Sequence, residues 1–185
     1  LDFESPTVTG QFPSLINEST VSCWETNASD GIMEFWPSPN YETVPAYSGT
    51  QFIEMNANFT STISQDFTVE PGSTLNIQFA HRGRQGNDTV GVEVGPVGGP
   101  YTDLGQFTDG NTAWVLHNLS YLVPNNSGNN YTIRFVSISS AGGSPSVGNY
   151  LDAVSLSSVA CSSELTTGTV SLLPSVTLAL TSGSA

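Results

Sequence analysis

Nowhere in the 185 residues do apolar side chains recur at i, i+3, i+4 and i+7 over a helical length. They alternate with polar ones in runs of five to eight, and Gly, Pro, Asn or Asp interrupts each run. Gly31 to Trp36 is one such run, stopped by Pro37-Ser38-Pro39. Gln51 to Ala57 is a second, and Ile63 to Val69 a third, closed by the turn Glu70-Pro71-Gly72. Leu75, Ile77 and Phe79 point one way between Asn76 and Gln78, and Val90, Val92 and Val94 repeat the pattern. Trp114 to Leu119, Tyr131 to Ile138 and Tyr150 to Leu156 complete eight strands, with room for more. Period-2 runs at this spacing predict an all-β, two-sheet antiparallel sandwich of the jelly-roll kind. It occupies residues 1–160. Residues 161–185 are rich in Ser and Thr and read as an edge strand with a linker, or as the start of a following module.

Charge narrows the function classes. Three Lys+Arg against 16 Asp+Glu leave a formal charge of −13, and all three basic residues are arginines. Such a chain has no general grip on a phosphate backbone or an anionic bilayer, so nucleic acid is excluded as a partner. No run approaches the roughly 20 apolar residues that span a bilayer, which argues against membrane insertion. Ser and Thr fill 46 positions and charged residues only 10%, a surface kept soluble by hydroxyls and net negative charge. That composition places the protein outside the cell, secreted or attached to a surface. Cys23 and Cys161 suit either one long-range disulfide or two separate thiols.

Three regions hold side chains with chemical potential. Asp2 and Glu4 flank Phe3, and Asp152 interrupts the apolar run from Tyr150 to Val154. Calcium takes six to eight oxygen ligands, and an ion joining first and last strands would neutralise these acids. The plain alternative is three solvated carboxylates. The second region, His81-Arg82-Gly83-Arg84 with Asp88, holds two of the three arginines, either bridging Glu54, Asp88 or Glu93 internally or presenting a fork to a ligand. The third is the aromatic set, in which Trp36, at the end of a strand, is the best stacking candidate; core packing is the competing reading.

Signatures of catalysis are missing: no Gly-x-Ser-x-Gly elbow, no His-Glu-x-x-His pair and no phosphate loop. Neither His81 nor His117 has a companion at ligand spacing in the sequence. A glycosidase would need two carboxylates, drawn from Glu34, Glu54, Asp88 and Glu93, facing one cleft.

The opening Asp2-Phe3-Glu4 and the closing Asn149-Tyr150-Leu151-Asp152-Ala153-Val154 resemble the ends of galactose-binding-like jelly-roll domains, a group that includes many carbohydrate-binding modules. The resemblance implies a structural Ca²⁺ held by Glu4 and Asp152, with Asp2 as a weaker addition. Val44 to Tyr47, Gly49 to Ala57, His81 to Arg84 and Gly148 to Asp152 also resemble a module of large secreted surface proteins of Bacteroidetes, adhesins among them. Together these readings lead to a non-catalytic module of a multidomain surface protein that binds a glycan or glycosylated partner. Glu54, Asn56, His81, Arg82, Arg84 and Asp88 would form its polar shelf, with Trp36 beside them. A structural spacer is the alternative, expected if both arginines are sealed inside. A polysaccharide-active enzyme is the third reading.

Overall fold

The structure, a computed structural model, describes residues 2–159. The tail at 161–185, and with it Cys161, lies outside the described residues. The described residues form eleven strands: β1 Ser14–Asn17, β2 Glu25–Thr26, β3 Ile32–Pro37, β4 Gln51–Glu54, β5 Thr62–Thr68, β6 Thr74–Arg82, β7 Asp88–Pro96, β8 Thr102–Asp109, β9 Val115–Leu122, β10 Asn130–Ser139 and β11 Tyr150–Val159. They form a six-stranded sheet, ordered β1-β3-β4-β11-β6-β9, and a five-stranded sheet, ordered β2-β5-β10-β7-β8. Neighbours run antiparallel throughout, for example β3 with β4 and β11 with β6.

Alternation decides which side chains meet. Phe35, Ile53, Leu151 and Phe79 of the six-stranded sheet face Val90, Val92, Ile133 and Phe135 of the other across an apolar core. Registers place Phe35 opposite Ile53 and Leu151 opposite His81, so odd-numbered positions here point inward.

The opposite face of the six-stranded sheet is divided. Over β3, β4 and the start of β11 it carries Trp36, Phe52 and Tyr150, which form a second apolar cluster with Val44 from the connection between β3 and β4. Residues 38–50 therefore lie as a strap across this half. Further along β11, β6 and β9 the same face is open and polar, with Asn76, Gln78, Asn118, Ser155 and Ser157 upon it. A bulge between Asp152 and Ser155, with Ala153 at a φ of 50°, marks the boundary.

Candidate functional site

Under the strap lies a charged cluster that alternation alone could not assemble. Glu34 and Glu54 are paired across β3 and β4 on the outer face, and Trp36 follows Glu34 on the same side. Arg84 reaches over them from the β6–β7 connection. Its guanidinium meets Glu42 at 2.7 Å and Glu54 at 3.1 Å, donates to the Tyr41 hydroxyl at 3.0 Å, and sits 4.6 Å from the centre of the Trp36 ring. The Trp36 indole N–H donates to Glu54 at 3.1 Å, and the Tyr150 hydroxyl donates to Glu42 at 3.1 Å. Trp36 is 0% exposed, Glu54 1%, and the Arg84 side chain 11%.

Burial dominates the acid–base state of this cluster. It raises Glu54 to about 8, with the neighbouring Glu34 charge adding to the rise and Arg84 opposing it. Burial likewise raises Glu34 to about 7 against the pull of Arg84. Glu42 is also partly desolvated, but its bonds and charge attraction to Arg84 outweigh that and hold it below the usual carboxylate range. One guanidinium cannot balance three desolvated carboxylates, so Glu34 and Glu54 keep a proton between them at neutral pH. The two are cross-strand neighbours, so each one's charge bears on the other's ionisation.

The expected shelf is thus mostly buried in linked networks, with Asn149 joining Asp88, Asn56 and His81. Trp36, Glu54 and Arg84 belong to the strap cluster. Asp88 is 0% exposed and accepts from the backbone N–H groups of Arg84, Ala141 and Asn149, which fixes the loops after β6 and β10. Gly148 is required beside it: its φ is +136°, and a Cβ there would stand 3.0 Å from the Asp88 carboxylate. Asn56 is buried and accepts from Ser137 and Asn149. His81 is buried, with Nδ1 2.7 Å from Asp109 and Nε2 3.0 Å from Asn149. Of the residues expected on an open shelf, only Arg82 retains spare donors near the surface. One of its nitrogens donates to the Asn111 carbonyl, while its Nε is buried with no protein acceptor among the described residues. An outward guanidinium pair is therefore corrected to a single one, because the strap supplies Glu42 to Arg84. Trp36 as an exposed platform is corrected for the same reason.

Glu4 and Asp152 do come together, through the strap. Asp152 Oδ2 accepts from the N–H groups of Tyr47 and Ser48, at 2.7 and 3.0 Å, and Oδ1 accepts from Ala153 at 2.6 Å. Glu4 accepts from the Thr50 N–H and hydroxyl and from the Gln51 N–H. Gly49 gives it room, since a Cβ there would meet the Glu4 carboxylate at 2.2 Å. Calcium needs lone pairs, and N–H and hydroxyl donors already engage most of those on Glu4 and on Asp152. Asp2 is exposed and contributes nothing to the group. These residues do not fit a calcium shell. They form a hydrogen-bonded latch.

The sequence reading passed over two features of the open half. The first is a shallow groove of about 280 Å³ lined by Asn76, Gln78, Asn118, Ser155 and Ser157. Gln78 donates to Asn118 at 2.9 Å, which aligns the two amides. The second is an aromatic rim. Tyr47, 43% exposed, stands edge-on to Trp114 at 6.5 Å, beyond Ala80 and Leu116 on the same face. The Trp114 indole donates to the Pro45 carbonyl at 2.7 Å. The signal was there in Asn76, Gln78, Asn118 and Ser120, one residue apart from the core positions on β6 and β9. A larger hollow of about 680 Å³, bordered by Glu18, Glu25 and Asp66, lies at the edge of the other sheet; its polar lining is mostly acidic and lacks amides.

No family model matches the sequence, and no curated protein matches it significantly. Solved structures do. A family 22 xylan-binding domain is 18% identical, with a TM-score of 0.52 over 78% of this chain and 92% of that one. A second family 22 xylan-binding domain, from Paenibacillus barcinonensis, is 12% identical, with a TM-score of 0.53 over 80% of this chain and 99% of that one. A family 22 carbohydrate-binding module from Clostridium thermocellum is 16% identical, with a TM-score of 0.52 over 82% and 96%. The likeness establishes the fold: an all-β jelly-roll sandwich shared with carbohydrate-binding modules.

Proposed function

We propose that this domain is a non-catalytic carbohydrate-binding module whose ligand lies in the open half of the six-stranded sheet's outer face. The observation carrying this is the row of uncharged amides and hydroxyls along β6, β9 and β11, ending at the Tyr47–Trp114 rim. Amides donate to and accept from sugar hydroxyls at once, while a ring edge or face covers the apolar C–H surface of a pyranose. The fold shared with xylan-binding domains supports the same reading.

The ligand is a neutral chain. Arg84 and Arg134 are paired with acids, and a charge of −13 repels uronic or sulfated glycans. Arg82, two residues beyond Ala80 on the same face, lies outside the groove, with one nitrogen bonded to the Asn111 carbonyl. Nothing in this chemistry breaks a bond. A surface-borne protein in which this is one module among several is the setting we propose, supported by the hydroxyl-rich, lysine-free composition. There a weak site gains from linkage.

Electrophoresis through gels containing xylan, mixed-linkage glucan or galactan tests the reading. At least one neutral polysaccharide should retard the protein, and Asn118→Ala or Tyr47→Ala should remove the retardation without lowering the melting temperature. If none retards it, the spacer reading, favoured by the sealing of Arg84, takes its place.

A further inference from the structure

His81, Asp109 and His117 converge at the edge of the sandwich where β6 and β9 of one sheet meet β8 of the other. His81 Nδ1 and His117 Nε2 both lie 2.7 Å from the same oxygen, Asp109 Oδ2, and the three atoms stand within 4.8 Å of one another. Glycan binding leaves this cluster unused, since His81 and His117 point to the core side of their strands.

The hydrogen bonds around His81 specify its donor pattern. The Asn149 amide nitrogen faces the Ser139 carbonyl at 3.1 Å, an acceptor only, and Ser137 Oγ at 2.9 Å. Asn149 therefore turns its Oδ1 to His81 Nε2, 3.0 Å away, and Nε2 must carry the hydrogen. In a neutral ring, Nδ1 is then a bare lone pair aimed at a carboxylate oxygen 2.7 Å away. Two lone pairs at that distance repel, so a positive centre belongs between them: a second proton on the ring, or a metal ion. His117 arriving at the same oxygen favours the metal. One oxygen is crowded by two imidazoles, as expected where a cation would gather all three. A histidine whose far nitrogen donates to a fixed oxygen is also the usual arrangement around a metal-bound imidazole.

We propose that His81 Nδ1, Asp109 Oδ2 and His117 Nε2 form a site for a divalent transition metal of the zinc class, with a fourth position open to water. Two imidazoles and one carboxylate suit zinc or cobalt rather than calcium or magnesium. Tetrahedral bonds of the usual length need ligand atoms about 3.3 Å apart, so the 2.7 Å contacts open by roughly half an ångström. Access is through His117, whose side chain is 16% exposed, and Asp109, at 9%. An ion here ties together two sheets that share no backbone ladder between β8 and β9.

Calorimetric titration of the chelator-stripped 185-residue chain with Zn²⁺, and with Co²⁺ followed by visible absorption, tests the site. One equivalent should bind, Co²⁺ should give the d–d bands of a four-coordinate centre, and excess Ca²⁺ or Mg²⁺ should not compete. At zinc about 100-fold above its dissociation constant, the melting temperature should rise by roughly 5–10 °C. His117→Ala and Asp109→Asn should each weaken binding by about 100-fold or more. His117 is the most exposed of the three, so its variant should retain the fold. Failure of the unmutated chain to bind either metal overturns the proposal, as does binding that survives His117→Ala.

Discussion

Arg84 shows what a single cation does in a chain with so few. Its guanidinium satisfies Glu42, Glu54 and the Tyr41 hydroxyl while lying over Trp36, so its removal leaves desolvated carboxylates facing one another. Arg84→Met should lower unfolding free energy by about 3–5 kcal/mol, the usual loss when one partner of a buried pair is deleted. Urea denaturation measures it. Adding Glu54→Gln should recover part of the loss, because the two residues act in one network. The scarcity of arginine marked this residue in the sequence, and an internal bridge to Glu54 was one of the readings it allowed. Glu42 was not legible, because its arrival depends on the path of residues 38–50. Trp36 was misplaced for the same reason: a strand-ending tryptophan on the outer face is exposed unless another segment returns over it.

At the scale of elements, the strap is held at three points by acids: Glu42 on Arg84 and Tyr150, Asp152 on the N–H groups of Tyr47 and Ser48, and Glu4 on Thr50. Asp152→Asn replaces one acceptor pattern with a donor that opposes those N–H groups. It should cost about 3 kcal/mol, since hydrogen bonds to a charged acceptor contribute roughly 1.5–3 kcal/mol each. It should also speed limited proteolysis within 38–50. Because N–H and hydroxyl donors engage the oxygens of this latch, EDTA should leave the melting temperature of a zinc-free sample unchanged; a fall restored by Ca²⁺ would return calcium to Glu4 and Asp152. Most strands were legible as alternation, from β3 to β7 and from β9 to β11. β1 and β2 are too short to show a period, and β8 is broken by Gly105, whose φ of +124° accompanies an irregularity in its pairing with β7. The groove escaped notice because its amides occupy the polar half of each alternation, which in a strand read alone means only solvent.

The whole molecule carries its acidity unevenly, with several carboxyls removed from water. Glu34 and Glu54, raised to about 7 and about 8, and Asp152, raised by burial to about 6, bind protons more tightly when folded than when unfolded. Their stabilising effect is complete below the ordinary carboxylate range near pH 4.5 and is lost as pH rises through 6 to 8. The melting temperature should therefore fall between pH 5.5 and pH 9. Glu34→Gln should remove much of that slope, worth on the order of 3 kcal/mol for the coupled pair. A flat profile would mean that the strap admits water to the cluster.

The same partition of the outer face into a sealed half and an open half sets where the proposed glycan would lie. Its direct test is a ¹H–¹⁵N NMR titration of the side-chain amide and indole signals with a neutral β-1,4-linked oligosaccharide that retards the protein in gels. The Asn76, Gln78 and Asn118 amides and the Trp114 indole should shift together, while the Trp36 indole stays still. Movement of Trp36 with silent groove amides would place the ligand beneath the strap and contradict the assignment.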